Sequence, residues 1–169
     1  MVRPRKAVMG DLPRIMEIYS SARSFMKESG NPDQWKDVYP DKNTVLNDIE
    51  LGRCYVFTED GAIRGVAAVC SGEDPTYGYI EDGSWPDDGP YVAVHRVASD
   101  GGSHGIFRAA ADLARTFCDE VRVDTHRDNL PMQRQITRYG FVRCGTIITH
   151  DGTPRIAYQF NGRERSADE

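Results

Sequence analysis

The stretch that decides the fold is Tyr-Val-Ala-Val-His-Arg-Val-Ala-Ser-Asp-Gly-Gly-Ser-His-Gly-Ile-Phe, which occupies residues 91–107. Its first half is apolar on both faces, which predicts a central strand over 92–98 that is covered on both sides. Three glycines in the next seven residues predict a turn, and a helix is predicted over 105–118. Such a turn leaves backbone N–H groups unpaired at the positive end of a helix dipole. The pattern therefore indicates an anion site, and a phosphate-bearing ligand is the first hypothesis.

The segments that follow extend this prediction to a second parallel strand. Residues 121–125 are predicted as a strand, and the order strand, helix, strand makes two parallel neighbours joined by a right-handed crossover. Asn129 opens and Gly140 ends a helix predicted over 130–139. The central part of the sheet is therefore predicted to be parallel.

The remaining elements are predicted from periodicity, capping residues and tight turns. They are, in chain order, a strand over 2–8, a helix from Asp11 to Glu28, a helix over 41–51, a hairpin with strands over 54–57 and 62–69, and a second hairpin with strands over 141–149 and 155–160. Two aperiodic segments, 29–40 and 71–90, combine helix breakers with aromatic side chains, so we expect ordered loops there. Loops of this kind often border binding sites.

Length and charge limit the classes of protein and partner. A chain of 169 residues is typical of one domain, which we expect over 1–161 with a polar tail over 162–169. With 21 Lys and Arg against 26 Asp and Glu, it has no basic excess for a nucleic-acid backbone. No apolar run of membrane-spanning length occurs, and the first residues lack the apolar core of a signal peptide. We therefore expect a cytoplasmic protein with neither a nucleic-acid nor a membrane partner.

The cysteines and histidines form no recognisable metal motif. The cysteines lie far apart inside apolar patterns, which favours buried thiols in a reducing compartment over disulfides or zinc ligands. They are Cys54, Cys70, Cys118 and Cys144. The acidic and histidine side chains around 124–128 also match no specific ligand spacing. We expect no metal site.

The order of elements, β-α-α-β-β-β-α-β-α-β-β, resembles the GCN5-related N-acetyltransferase (GNAT) family over nearly the whole chain. The likeness is strongest at the glycine-rich turn after the fourth strand, and at Asn129 with Gly140-Phe141. The resemblance implies an α/β fold in which about four helices flank a central mixed sheet of about seven strands. It also implies that the fourth and fifth strands splay apart, with acetyl-CoA in the gap.

The resemblance implies a set of cofactor-binding residues. The backbone of 97–99 would pair with pantetheine as an extra strand would, and the turn of 102–107 would receive the pyrophosphate. The implied residues are Val97, Ala98, Ser99, Gly102, Ser103, His104, Gly105, Ile106, Phe107 and Asn129. Two alternatives stay open: the glycine turn as a plain connection, and Asn129 as a helix cap.

This chain departs from the family pattern in two places. The pyrophosphate loop of the family usually has Arg or Gln, then Gly, then Gly or Ala, where this chain has Gly102, Gly105 and Phe107. The tyrosine that the family often places seven residues after the asparagine, to protonate the departing thiolate, is Ile136 here. A general acid would therefore come from Tyr139, Thr125 or bound water.

His95 is the candidate general base. It lies two residues before Val97, where some GNAT enzymes carry a histidine that helps to deprotonate the amine. A histidine that titrates near neutrality can take that proton directly or through water, although a structural role stays open. Strand alternation predicts that Arg96 points to the opposite face, with Asp124 as its partner.

The two aperiodic loops supply the candidates for binding an acceptor, because the family fold places them around the acceptor cleft. These candidates are Trp35, Tyr39, Glu73, Tyr77 and Trp85. Acidic side chains would attract a cationic amine. The alternatives are that the aromatic residues cover the core and that the acidic residues are solvated surface.

The resemblance implies an enzyme of the acyltransferase class. It would transfer an acetyl group from acetyl-CoA to a primary amine of a small molecule or peptide, by direct attack in a ternary complex. A homodimer is compatible with the sequence. The altered loop and the missing tyrosine keep two alternatives open: a non-catalytic GNAT-like sensor that binds CoA or another ligand, and a domain without CoA affinity.

Overall fold

The computed structural model describes residues 1–36 and 38–162. Of the predicted tail, only Gly162 is among them, and 163–169 lie outside the described residues. The elements in chain order are β1 (Arg3–Lys6), α1 (Leu12–Glu28), α2 (Lys42–Glu50), β2 (Cys54–Glu59), β3 (Ala62–Ser71), β4 (Val92–Ser99), α3 (Ile106–Arg115), β5 (Glu120–Thr125), α4 (Leu130–Tyr139), β6 (Val142–Ile148) and β7 (Pro154–Asn161).

The strands form one mixed sheet in the order β1-β2-β3-β4-β5-β7-β6. Only the β4–β5 pair is parallel among the described strands, as the predicted crossover requires. Buried side chains of α3 and α4 pack on one face, and those of α1 and α2 pack on the other. The predicted α/β fold, with about seven strands and four helices, is therefore confirmed.

Local signals in the sequence set the ends of several elements. The Asp41 carboxylate caps α2 by accepting a hydrogen bond from the Thr44 N–H at 2.9 Å. The β2–β3 turn has positive φ angles of 52° at Asp60 and 79° at Gly61, as a tight hairpin turn requires. Because these signals depend on only a few neighbouring residues, the sequence alone was enough to locate these element ends.

The parallel strands β4 and β5 separate after two residue pairs. Val92 pairs with Val121 and Ala93 pairs with Arg122, and the ladder ends there. The rest of β4 has no strand partner on its β5 side within the described residues. The sheet therefore contains the opening between its fourth and fifth strands that the family resemblance implied.

A β-bulge in β4 lies beside this opening. Ala68 of β3 pairs with His95 and Val66 pairs with Ala98, so three steps along β4 oppose two along β3. Arg96 takes up the extra residue with a φ of 51°, in the left-handed region. The bulge interrupts the alternation and places Arg96 on the same face as His95. The prediction that they face opposite sides is wrong for this reason.

The Arg96 side chain forms a bidentate ion pair with the buried Asp48 of α2. Its Nε and Nη2 donate to the two carboxylate oxygens at 2.8 Å each. Burial opposes the charge, but Asp48 outweighs it and raises the pKa of Arg96. The Tyr19 hydroxyl also donates to the Arg96 carbonyl at 2.9 Å. The predicted partner, Asp124, was wrong, because the bulge turns Arg96 towards α2.

We expect Asp48→Ala to lower the free energy of unfolding by about 3–5 kcal/mol, because it leaves the charge of Arg96 buried without a partner. Glu50→Gln, at an exposed position of the same helix, is the control and should change it by less than about 0.5 kcal/mol. Urea denaturation measures both. A loss below about 1 kcal/mol for Asp48→Ala would contradict the view that this pair holds the bulge.

Candidate active site

The opening between β4 and β5 leads into a cleft of about 590 Å³. Its walls come from β4, β5, the two aperiodic loops and the β6–β7 turn. Side chains that line it include Gln34, Trp35, Tyr39, Asp74, His95 and Arg155. The volume and the mixture of aromatic and charged walls are typical of a small-molecule site.

His95 and Asp74 form a close pair inside this cleft. The Nε2 atom of His95 lies 2.6 Å from the Asp74 carboxylate, and Nδ1 lies 3.7 Å from Asp124. Burial opposes ionisation of Asp74, but hydrogen bonds from His95 and Thr76 outweigh it and hold its pKa well below the usual range. An ionised carboxylate can only accept, so the neutral imidazole carries its proton on Nε2. Nδ1 is therefore left as the basic nitrogen.

Asp124 is held in place by Tyr77. The Tyr77 hydroxyl donates to the Asp124 carboxylate at 2.7 Å, and its ring packs against His95 with centroids 5.6 Å apart. Burial and then Asp124 raise the pKa of Tyr77 well above its usual value. Tyr77 is 2% exposed, so it supports His95 from behind.

The predicted acceptor residues divide into two groups. Trp35, Tyr39 and Glu73 line the cleft. Tyr77 and Trp85 do not: the Trp85 indole N–H donates to the Tyr77 carbonyl at 2.8 Å, away from the cleft. For Tyr77 and Trp85 the structure agrees with the alternative that these aromatic residues cover the core and do not line the acceptor site.

A second cavity, of about 440 Å³, lies at the start of α3. Six of the predicted cofactor residues line it: Ser99, Ser103, His104, Gly105, Ile106 and Phe107. Gly105 has a φ of +82°, and a Cβ atom there would meet only open space. Phe107 lines both cavities, so they lie next to each other at this residue.

Other predicted cofactor residues lie around this cavity or in the first cleft. Val97 lines the first cleft, and Ala98 is buried opposite Val66. Gly102 lines neither cavity, and its N–H is already taken by the Asp100 carboxylate at 2.7 Å. Arg14 and Arg64 in turn hold Asp100, at 2.6 and 3.2 Å. The turn is thus fixed by the protein itself.

Two basic residues of the second cavity escaped the sequence analysis. Arg108 of α3 and Arg138 of α4 both line it. Their positions on two helices that meet only in the folded chain gave no local signal. Both could supply positive charge to a phosphate. The turn itself lacks such a charge, because it has Gly102 where the family pattern has a basic or amide residue.

Asn129 acts as the cap of α4. Its side-chain oxygen accepts from the Met132 N–H at 3.2 Å, and its amide donates to the Gln34 side chain at 2.9 Å. Asn129 also lines the first cleft. Capping is therefore confirmed, and contact with the cofactor stays a prediction.

The structure does not bring Tyr139 together with His95. Tyr139 lines the second cavity, where its hydroxyl donates to Asp112 at 2.5 Å, and His95 lies in the first cleft. Of the predicted general acids, Thr125 shares the cleft with His95. The geometry favours Thr125 over Tyr139 as a proton donor near His95.

The cysteines, the candidate metal ligands and the helix lengths can also be compared with the sequence predictions. All four cysteines are free, and burial raises the pKa of Cys54 to about 12. Residues 1–36 and 38–162 contain no cluster of three His, Cys, Asp or Glu side chains suited to a metal ion. Within the same part of the chain, no helix has both the length and the apolar character to cross a bilayer.

A mixed sheet with two splayed parallel strands and a glycine turn at one end defines a class of fold that solved structures share. No protein-family model and no curated protein sequence matches the chain. An acetyltransferase of the GNAT family from Streptococcus agalactiae is 29% identical, with 96% of both chains covered and a TM-score of 0.87. The predicted resemblance to the GNAT family is therefore confirmed, and so is the GNAT-like fold.

Two more distant structures carry ligands. The protein yncA from Salmonella typhimurium, solved with its cofactor acetyl-CoA, is 17% identical, with 100% of this chain and 98% of that chain covered and a TM-score of 0.64. AAC(6')-Ib, in complex with ribostamycin and coenzyme A, is 20% identical, with 98% of both chains covered and a TM-score of 0.67. At this identity the likeness concerns the fold.

The Asp74 carboxylate should make stability depend on pH. Its pKa is lower in the native chain than the value of about 3.9 expected when unfolded, so it stabilises the native state above about pH 4 and the effect is lost as the pH falls further. We expect Asp74→Asn to lower the free energy of unfolding by about 1–3 kcal/mol at pH 6, and by progressively less below pH 4. Denaturation at a series of pH values measures this difference.

Glu28→Gln, at the exposed end of α1, is the matched control and should give a small difference with no such trend. A difference between wild type and Asp74→Asn that stays constant from pH 6 to pH 3 would contradict the assignment of an ionised Asp74.

Proposed function

We propose that this protein is an acetyl-CoA-dependent N-acetyltransferase that acts on a primary amine of a small molecule or peptide. The observation that carries the proposal is the open edge of β4, which runs past the His95–Asp74 pair towards the cavity at the start of α3. An acyl donor bound along that edge would bring its thioester to the only histidine of β4. The alternative of a non-catalytic sensor shares the binding edge and lacks only turnover.

The residues at the start of α3 fit a diphosphate group. Gly105 leaves room for close backbone approach, the helix N-terminus favours an anion, and Arg108 and Arg138 add positive charge. The exposed backbone of β4 beyond Ala93 can hydrogen-bond an extended chain as an added strand would. The acetyl-CoA and CoA complexes of the fold relatives support this assignment.

The His95–Asp74 pair can activate the amine. A protonated amine has no lone pair, so Nδ1 of His95 first takes its proton directly or through water. Asp74 holds the ring and stabilises the imidazolium, and Asp124 lies close enough to attract the incoming ammonium group. The amine complex of a fold relative, AAC(6')-Ib with ribostamycin, supports a small-molecule acceptor.

The proposed transfer step needs no reactant beyond the amine and the thioester of acetyl-CoA. The nitrogen lone pair forms the new bond to the thioester carbonyl carbon, and backbone N–H groups near Val97 and Ala98 stabilise the oxyanion. Collapse of this intermediate breaks the carbon–sulfur bond, and the proton that the nitrogen loses as it becomes an amide passes to the departing thiolate, directly or relayed through the Thr125 hydroxyl or water. Holding the two reactants together supplies much of the acceleration, by several kcal/mol.

We expect Gly105→Trp to weaken CoA binding at least about 100-fold, because the indole ring would fill the cavity at the start of α3. Gly101→Trp is the matched control: Gly101 has a φ of +81°, also meets open space, and does not line the cavity. It carries the same backbone strain and should keep its affinity. Calorimetric titration with CoA measures both variants. Equal affinity of the two variants would place the phosphates elsewhere.

We expect His95→Gln to lower kcat by about 100-fold or more, because it removes the base. Thiol release from acetyl-CoA with a panel of amines, amino acids, polyamines and peptides measures turnover. Tight CoA binding without thiol release for any amine would support the sensor instead.

A further inference from the structure

Arg155, at the start of β7, is a buried cation whose hydrogen bonds are incomplete. It is 6% exposed and lines the cleft that contains His95. Its Nη1 donates to the Thr153 hydroxyl at 2.8 Å and to the Pro154 carbonyl at 3.0 Å, and Nη2 donates to the Gln34 carbonyl at 3.0 Å. A guanidinium has five N–H donors. The N–H of Nε and one of Nη2 have no acceptor among the described residues.

Arg155 also lacks a counter-ion where its neighbours have one. Arg96 and Arg53, which line the same cleft, both pair with Asp48 at 2.7–2.8 Å. No described carboxylate lies within 4 Å of the Arg155 guanidinium, and burial lowers the pKa of Arg155 although Asp124 and Asp151 oppose this shift. A buried charge without a partner is costly. A bound anion would supply the missing partner.

The position of Arg155 places such an anion within reach of the reacting amine. Asp124 pairs with Ala157 across the β5–β7 ladder, and Arg155 is two residues further along β7 on the same face. Two residues of a strand span about 6–7 Å. Asp124 in turn lies 3.7 Å from His95. A single small molecule can therefore extend from Arg155 to His95.

The opposite end of the cleft has the complementary charge. Asp74 and Asp124 flank His95 at 2.6 and 3.7 Å, and Glu73 lines the same cleft, so an ammonium group is favoured there. The phosphates of the cofactor belong to the other cavity, which Arg155 does not line. An anion bound at Arg155 would thus belong to the acceptor.

We propose that the acceptor is a zwitterionic amine, an amino acid or a close analogue, whose carboxylate binds Arg155 through the two free N–H groups while its amine faces His95. This inference rests on the proposed N-acetyltransferase function and narrows its substrate class. Two parallel N–H···O bonds are the geometry in which arginine binds carboxylates most strongly. The carboxylate also fixes the orientation of the amine towards the thioester.

The test compares each standard amino acid with its decarboxylated amine and its methyl ester, by thiol release at fixed acetyl-CoA. We expect kcat/KM for the preferred amino acid to exceed that of both counterparts by about 10- to 100-fold. An α-amino ester is less basic than the parent amino acid and has more free amine at a given pH. A preference for the free acid therefore reports binding of the carboxylate.

Variants of Arg155 test whether this residue causes the preference for the free amino acid. We expect Arg155→Gln to lose it, because kcat/KM for the amino acid falls about 10-fold or more further than kcat/KM for the decarboxylated amine, and Arg155→Lys to keep a part of it. Arg127→Gln removes a nearby exposed charge outside the cleft and should keep the full preference. Melting temperature and CoA affinity of each variant show that the fold is intact.

The outcomes separate this inference from the proposed function. Transfer to amines with equal kcat/KM for matched acids and amines would overturn the zwitterion and leave N-acetyl transfer standing. CoA binding without transfer to any amine would overturn both. A preference of tenfold or more for sulfonate or phosphonate analogues over carboxylates would overturn the choice of carboxylate.

Discussion

A buried carboxylate that holds one arginine in a left-handed backbone conformation is the constraint on which the site depends. The Asp48–Arg96 pair holds the extra residue of β4, and a bulge bends its strand and increases the local twist. The ladder with β5 ends at Ala93, two residues before the bulge begins. The same extra residue directs His95 and Arg96 to one face, so the histidine faces the cleft and the arginine anchors the strand.

The sequence predicted the order of elements because each one carries a local signal. Alternation, helical spacing, the cap at Asp41 and the Asp60-Gly61 turn act over a few residues, and together they placed all seven strands and four helices. A bulge has no such signal, because it depends on the register with a neighbouring strand. Strict alternation therefore predicted the wrong face for Arg96, and its partner lies 48 residues away in the chain.

The site was predicted only in part, because only some of its residues carry a local signal in the sequence. Gly105 of the glycine turn, His95 and Asn129 stand in or beside regular elements, and the structure places them at the two cavities. The segment 71–90 has no periodicity, so sequence could not tell that Tyr77 is buried, or that Asp74 reaches His95 across 21 residues. Sequence alone indicated only that Arg155 is a strand residue. The lack of a carboxylate next to it depends on the folded chain and leaves no signal in the sequence.

The segment that shapes the proposed acceptor cleft also supplies the carboxylate that holds the proposed base. Glu73 and Thr76 line the wall of the cleft, and Asp74 between them carries the hydrogen bond to His95. Mutations that reshape this wall would consequently disturb the proposed proton transfer as well. A change of acceptor through this wall would therefore also lower the rate of the reaction. Descendants of this chain would change substrate more readily through the residues around Trp35 and the β6–β7 turn, which shape the cleft without contacting the imidazole.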